Sequence, residues 1–214
     1  MILIPSMELV QPRRAIWFKS AFCAVTGIDP AISERGRSCY TAIVTVGWDV
    51  SIETPTLYVL DARQGHWKPT QTLETAYTVY VAYEPNELVI ETVAFQEVFL
   101  DLQREMSSNR DCAMPLRGID ANLYGKDKQI RLSKTAKFFQ QNRIAFDGKS
   151  VTQQKLIEQI VTYSRGDTCD LMDAFCMAVN HLAIRHRPMR KGQNTDEFEP
   201  VRVQGRVVGY RKRV

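Results

Sequence analysis

The chain lacks any apolar run long enough to cross a bilayer, because its longest hydrophobic stretches are broken by charges within a few residues, and this excludes a membrane-spanning helix. Its opening, Met1-Ile2-Leu3-Ile4-Pro5, has neither the basic region nor the long apolar core of a secretion signal, so a cytoplasmic protein is expected. The cysteines are few and odd in number: five, with no CxxC pair, which points to reduced thiols in a reducing compartment rather than a disulfide framework. Cys169, Cys176, His181 and His186 match no usual zinc-ligand spacing. A nucleotide-binding phosphate loop is missing too. Gly148-Lys149-Ser150 ends like one, but Arg143 stands where the first glycine belongs and no buried strand precedes it. Internal repeats and low-complexity runs are absent.

What is present suits a single domain with appendages: 214 residues, 44% of them hydrophobic, enough to close a core. The net charge of +4 is unevenly placed. Residues 187–214 hold eight basic and three acidic side chains, 8 − 3 = +5, which leaves −1 for residues 1–186. A nearly neutral body with a basic tail localises any polyanion contact to the tail, although such composition also suits a solvated end. The expected division is an N-terminal arm or linker over 1–20, a domain over 21–186 and a basic tail over 187–214.

The organising stretch is Phe22-Cys23-Ala24-Val25-Thr26-Gly27-Ile28-Asp29-Pro30, an apolar run that stops at an acid. Its length and residue types predict a central strand, closed by Pro30, which has no N–H for the ladder. Tyr40–Trp48 alternates as a second strand and Thr56–Asp61 makes a third, so the first three form an antiparallel meander. From Thr70 the period becomes helical, with Leu73, Ala76, Tyr77 and Tyr80 in phase and Pro85 ending the segment. Leu88-Val89-Ile90-Glu91 is a fourth strand, again ending in an acid and expected parallel to the first. Phe95, Val98, Phe99, Leu102 and Met106 mark an amphipathic helix, Leu116–Ile119 a fifth strand, Lys126–Arg131 the opening of a short helix, and Ile144-Ala145-Phe146 a β segment. The next helix carries Leu156, Ile157, Ile160 and Val161 and stops at Gly166. The last starts near Asp170, with Met172, Phe175, Cys176, Val179, Leu182 and Ala183 on its packing stripe; Asp170, Asp173 and Met177 fall on the opposite face. A β run over Val201–Val208 is expected in the tail.

Asp29 and Glu91 each end a strand and Asp170 opens a helix, positions that an α/β fold brings together at one edge of its sheet. Converging carboxylates repel, and they stay ionised only by sharing a cation. Hard oxygen donors without clustered His or Cys select magnesium or manganese, and two such ions are a standard device for phosphoryl displacement. Each acid also has a plainer role open to it: Asp29 as a turn residue, Glu91 as a surface charge, Asp170 as a helix cap.

The ordered set Gly27-Ile28-Asp29-Pro30-Ala31, Leu88-Val89-Ile90-Glu91, Lys126-Asp127-Lys128-Gln129-Ile130-Arg131 and Gly166-Asp167-Thr168-Cys169-Asp170-Leu171-Met172-Asp173-Ala174-Phe175 resembles the nuclease domain of the large terminase subunit of tailed double-stranded DNA bacteriophages. The resemblance covers roughly residues 20–186. It implies an RNase H-like α/β fold, a mixed sheet with antiparallel strands one to three and then parallel strands, flanked by helices. It further implies a two-metal endonuclease that cuts concatemeric viral DNA during packaging in the host cytoplasm, with magnesium or manganese as cofactor. The implied partners are double-stranded DNA, the terminase ATPase domain, the small terminase subunit and the portal. Asp29 would be the ligand shared by both ions and Glu91 and Asp170 the flanking ligands. Lys128 and Arg131, with Lys126 beside them, would be the DNA-contacting cations. Where the family commonly has His-Asp-Asp before an apolar-x-Asp-Ala run, this chain has Thr168-Cys169-Asp170, which leaves Asp170 and Asp173 both open as the third ligand and Asp167 as a compensating acid. The rival readings are a Holliday-junction resolvase of the same fold and a non-catalytic docking module of a packaging motor.

Overall fold

A computed structural model describes residues 21–31, 40–91, 99, 101–105, 114–120, 128–163, 169–188, 198–203 and 206–212. Six strands, β1 (Phe22–Asp29), β2 (Thr41–Asp49), β3 (Leu57–Gly65), β4 (Glu87–Glu91), β5 (Leu116–Ile119) and β6 (Ile144–Ala145), form one sheet in the order β5-β4-β1-β2-β3-β6. β1, β2 and β3 are successively antiparallel, while β4 is parallel to β1, β5 to β4 and β6 to β3. Only β2 therefore runs against the other five. Among the described residues, helices α1 (Pro69–Tyr83), α2 (Lys128–Gln140), α3 (Val151–Thr162) and α4 (Asp170–Arg185) accompany the sheet. This is the RNase H-like mixed sheet that the sequence predicts.

The sheet is covered on both faces, so its central strands are buried almost throughout rather than alternately. Every residue of β2 and of Cys23–Ile28 in β1 is buried. Residue parity sorts the two faces. Cys23, Val25, Val44, Val46, Trp48, Val89 and Ile119 join the larger core with α2, α3 and α4, whereas Ile28, Ile43, Leu88 and Ile90 join a smaller core with Leu73, Ala76 and Val79 of α1 and with Phe99. Asp29, Glu87 and Glu91 share the parity of the first set and so lie on the α4 face.

The helix boundaries follow local chemistry. α1 begins with Pro69 at its first position, where no N–H is needed, and ends at Glu84, whose φ of 47° is left-handed and whose N–H bonds Tyr80 O at 2.8 Å. Pro85 follows, as the sequence requires. Gly148-Lys149-Ser150 is the turn and N-cap of α3: Ser150 Oγ accepts from Gln153 N at 3.3 Å.

Several expectations need correction. The helix opened by Lys128 runs thirteen residues to Gln140, because Leu132, Thr135, Phe138 and Phe139 give it a buried side that the polar residues between them disguise. The β segment at Ile144 is two residues long, and Phe146 lies beyond it in the core. The tail holds two paired antiparallel strands, β7 (Phe198–Val203) and β8 (Arg206–Lys212), in a sheet separate from the main one, instead of one run over 201–208. Most of all, α4 has no polar face. Leu171–Leu182 is buried all round, Asp173 and Met177 included, as befits a helix set between a sheet and two other helices. The arm over 1–20, Gly166 and part of the 95–106 helix lie outside the described residues; Phe99 and residues 101–105 are helical.

Glycine at position 27 lets α4 lie directly on β1. A Cβ there would meet Ala174 O at 2.2 Å and Ala178 N at 3.0 Å. The far end of α4 is clipped to β4 by charge. Glu87 accepts His181 Nε2 at 3.1 Å and lies 3.6 Å from both Arg117 Nε and Arg185 Nε and 3.7 Å from His186 Nε2. Burial alone would raise the Glu87 pKa, but the His181 and His186 side chains and the Arg117 charge outweigh it and hold the carboxyl well below the carboxylate range. A lowered folded pKa contributes stability above the unfolded value of 4.5, lost as pH falls through the folded value. Glu87→Gln should therefore melt below wild type at pH 7, with the gap closing as the pH is taken below about 4. A gap independent of pH would show that the carboxylate charge contributes nothing.

Candidate active site

Five of the six strands end at the same edge of the sheet. β1 and β4 are neighbours whose connections leave in opposite directions, the switch point at which open α/β sheets hold ligands. Their final residues are Asp29 and Glu91, adjacent because Ile28 pairs with Ile90. The N-terminus of α4 ends over this point, since Ala174 and Ala178 are seated on Gly27 and the helix's first turn carries Asp170 and Asp173. Asp29, Glu91, Asp170 and Asp173, four acids from three elements, thus meet at one edge.

Their proximity is legible in the electrostatics. The Asp29 carboxyl is raised well above its ordinary range, first by burial and then by the negative charges of Asp173, Asp170 and Glu91, with Lys128 pulling the other way. Asp29 retains some exposed surface, yet enclosure of the carboxyl is the leading cause. Asp170 is raised as well, by burial first and also by Asp173; the Tyr40 backbone N–H, which donates to Asp170 Oδ2 at 2.9 Å, and the Lys128 charge oppose it.

Asp173 is in a different situation. Lys128 Nζ donates to its Oδ2 and Arg131 Nη2 stands 3.5 Å from its Oδ1. Burial would lower the Lys128 pKa, but Asp173 and then Asp29 more than reverse this and raise it. The spacing of three residues that puts Lys128 and Arg131 on one side of α2 thus turns both cations inward onto the buried acid. Lys126 lies outside the described residues.

The donor set suits a hard divalent ion: carboxylate oxygens that repel one another, with the pKa of the central Asp29 carboxyl raised by burial and by its neighbours' charges. Among the described residues no three acidic, histidine or cysteine side chains are gathered closely enough to hold a metal ion as they stand. Cys23 and Cys176 are not donors in waiting, for burial pushes the Cys23 thiol up to about 12 and raises Cys176 as well.

Two residues of this edge are not among the site residues that the sequence suggests. Tyr40 serves through its backbone N–H, to which side-chain type is no guide. Asp120 directly follows β5, whose Ile119 pairs with Glu91. The signal that picks out Asp29, an apolar strand ending in an acid, picks out Asp120 equally.

No protein-family model matches the chain, and no curated protein matches it by sequence. Solved structures do match by fold. The human cytomegalovirus terminase nuclease domain superposes with a TM-score of 0.54 at 16% identity, over 76% of this chain and 84% of that one. The large terminase nuclease domain of P22 gives 0.54 at 11%, over 76% and 82%. The large terminase nuclease domain of bacteriophage SPP1, solved with bound Mn, gives 0.50 at 10%, over 84% and 94%. The chain therefore shares the fold of terminase nuclease domains, as the order of its motifs suggests.

Proposed function

We propose that residues 21–186 form a metal-dependent endonuclease that hydrolyses phosphodiester bonds of double-stranded DNA, acting in the host cytoplasm to cut concatemeric viral DNA during genome packaging. The observation that carries this reading is the convergence of Asp29, Glu91, Asp170 and Asp173 at the switch point of the sheet, set there by the β1–β4 register and the seating of α4 on Gly27. A buried cluster of like charges is costly to a fold and persists where a cation repays it. The manganese bound to the SPP1 domain of the same fold agrees with that demand.

In this reading Asp29, Glu91 and Asp170 would hold two magnesium or manganese ions, which would supply an activated water and offset the charge that develops on the phosphate. The Tyr40 N–H fixes the orientation of Asp170. Lys128 and Arg131 hold Asp173 and offset part of the negative field that would otherwise repel a DNA backbone. With Lys126 they are the cations we assign to phosphate contact. Packaging would add the terminase ATPase domain, the small subunit and the portal as partners, with residues 1–20 as linker and the basic tail 187–214 as an accessory contact. No helix among the described residues is long and apolar enough to cross a membrane. A junction resolvase would instead prefer four-way junctions over linear duplex, and a docking module need not bind manganese.

The test is nicking of supercoiled plasmid with manganese, magnesium or chelator. Wild type is expected to nick with either ion and to stop in chelator. Asp170→Asn should lose most activity. Asp173→Asn, which removes a carboxylate already neutralised by two cations, should keep measurable activity and need about ten- to a hundredfold more manganese. Activity in Asp170→Asn with none in Asp173→Asn would move the third ligand one helical turn along α4, and a wild type indifferent to chelator would sink the metal reading.

A further inference from the structure

At the edge that carries the acids, the β2–β3 ladder ends at the pair Thr41 and Gly65. One residue further out, Tyr40 and His66 meet across the strands with ring centroids 4.1 Å apart and planes 30° from parallel. Cross-strand aromatic pairs commonly stabilise a sheet by burying their rings. This pair does not bury them: Tyr40 is 39% exposed and His66 is exposed as well. Beneath it the strand end is held firmly. The Trp67 indole lies so close across Gly65 that a Cβ there would stand 2.4 Å from the ring, and Trp67 packs on the smaller core. The same Tyr40 bonds Asp170 through its backbone N–H, so the stacked rings stand one residue from a carboxylate of the site.

We infer that Tyr40 and His66 form a stacking platform for an unpaired base of the DNA strand, at the nucleotide beside the scissile phosphate. Two exposed, mutually stacked rings offer flat π surface at little conformational cost, and every base has a face to lay on it, so the contact is sequence-tolerant. Fully paired duplex keeps its bases stacked on one another and offers none. The substrate class favoured is therefore duplex locally opened at the cut, through fraying, a mismatch or strain, with the metal-site acids reading the backbone and the aromatic pair reading the displaced base. This rests on the nuclease reading for its role, but its binding test does not.

The test measures binding of the full chain to fluorescein-labelled oligothymidylate and to an abasic oligomer of the same length, in chelator and at salt high enough to suppress backbone attraction. Wild type should prefer the base-bearing strand roughly 5- to 100-fold. Tyr40→Ala should abolish the preference, Tyr40→Phe should keep it, and His66→Ala should reduce it. Equal preference in wild type and Tyr40→Ala, or a lower melting temperature in Tyr40→Ala with the preference intact, would overturn the platform and leave the pair a strand fastener. A wild type that never nicks plasmid yet prefers bases through Tyr40 would defeat the nuclease reading and leave the platform standing. One that nicks but shows no base preference does the reverse.

Discussion

Asp29→Asn is expected to reduce manganese-dependent nicking by roughly 10³-fold or more while leaving the fold intact and, in chelator, at least as stable as wild type. The first half follows from its place between the strand-end and helix-end acids, where in the proposed two-ion site one lost carboxylate would remove a donor from both ions. The second half follows from the direction of its pKa. Burial and the charges of Asp173, Asp170 and Glu91 raise the folded-state value above the unfolded value of 3.8. Such a group contributes stability below its unfolded pKa and loses it as pH rises through the folded one. The amide has no proton to lose, so the melting temperature of Asp29→Asn relative to wild type should climb as the pH is raised above about 4. Activity lost together with stability would mark Asp29 as structural. Wild-type nicking by the variant, with contaminating nuclease excluded, would remove it from the site.

Among the described glycines, Gly27→Ala should be the most damaging. The added methyl would sit 2.2 Å from the Ala174 carbonyl oxygen and 3.0 Å from Ala178 N, both backbone atoms of a helix that cannot turn aside as a flexible side chain can. α4 must lift or β1 must sink, and overpacking of this kind costs about 3 kcal/mol or more, a fall in melting temperature of roughly 10 °C for a domain of this size. Whatever folds should also nick poorly, because lifting α4 carries Asp170 and Asp173 away from Asp29. A variant that melts within about 1 °C of wild type would show that the helix is not seated on Gly27.

The sequence was most readable where one physical signal dominated. β1 and β4 each combine a short apolar run with a stop, and α1 combines a clean helical period with Pro85 at its end. Signals that compete were read less well. α2 hides its four buried positions among Lys and Gln, and β6 is set by backbone pairing to β3, with Leu57 N bonding Arg143 O at 2.8 Å, which leaves little trace in residue type. In α4 the helical period separates Asp170 and Asp173 from the packing stripe, but it does not tell that their face is enclosed as well: Asp173 is buried and ion-paired. Of the site, the strand-end and helix-start acids were legible one by one. Their relation to the α2 cations and to the Tyr40 amide was not, since both depend on which elements the fold makes neighbours.

The enclosure of α4 from Leu171 to Leu182 also bears on how such a domain can change over time. A helix with solvent on one side can vary there without disturbing the rest, but over this stretch α4 has no idle position. Any heritable drift in the substrate of the proposed nuclease must therefore enter elsewhere. The rim is open to it: Tyr40 and His66 are exposed and bounded by ladder ends, and each can be exchanged without repacking a core. A saturation library of the chain should accordingly divide in two, with α4 nearly intolerant of substitution in any assay of folding, and variants of altered substrate preference concentrated in the strand ends that face the acids.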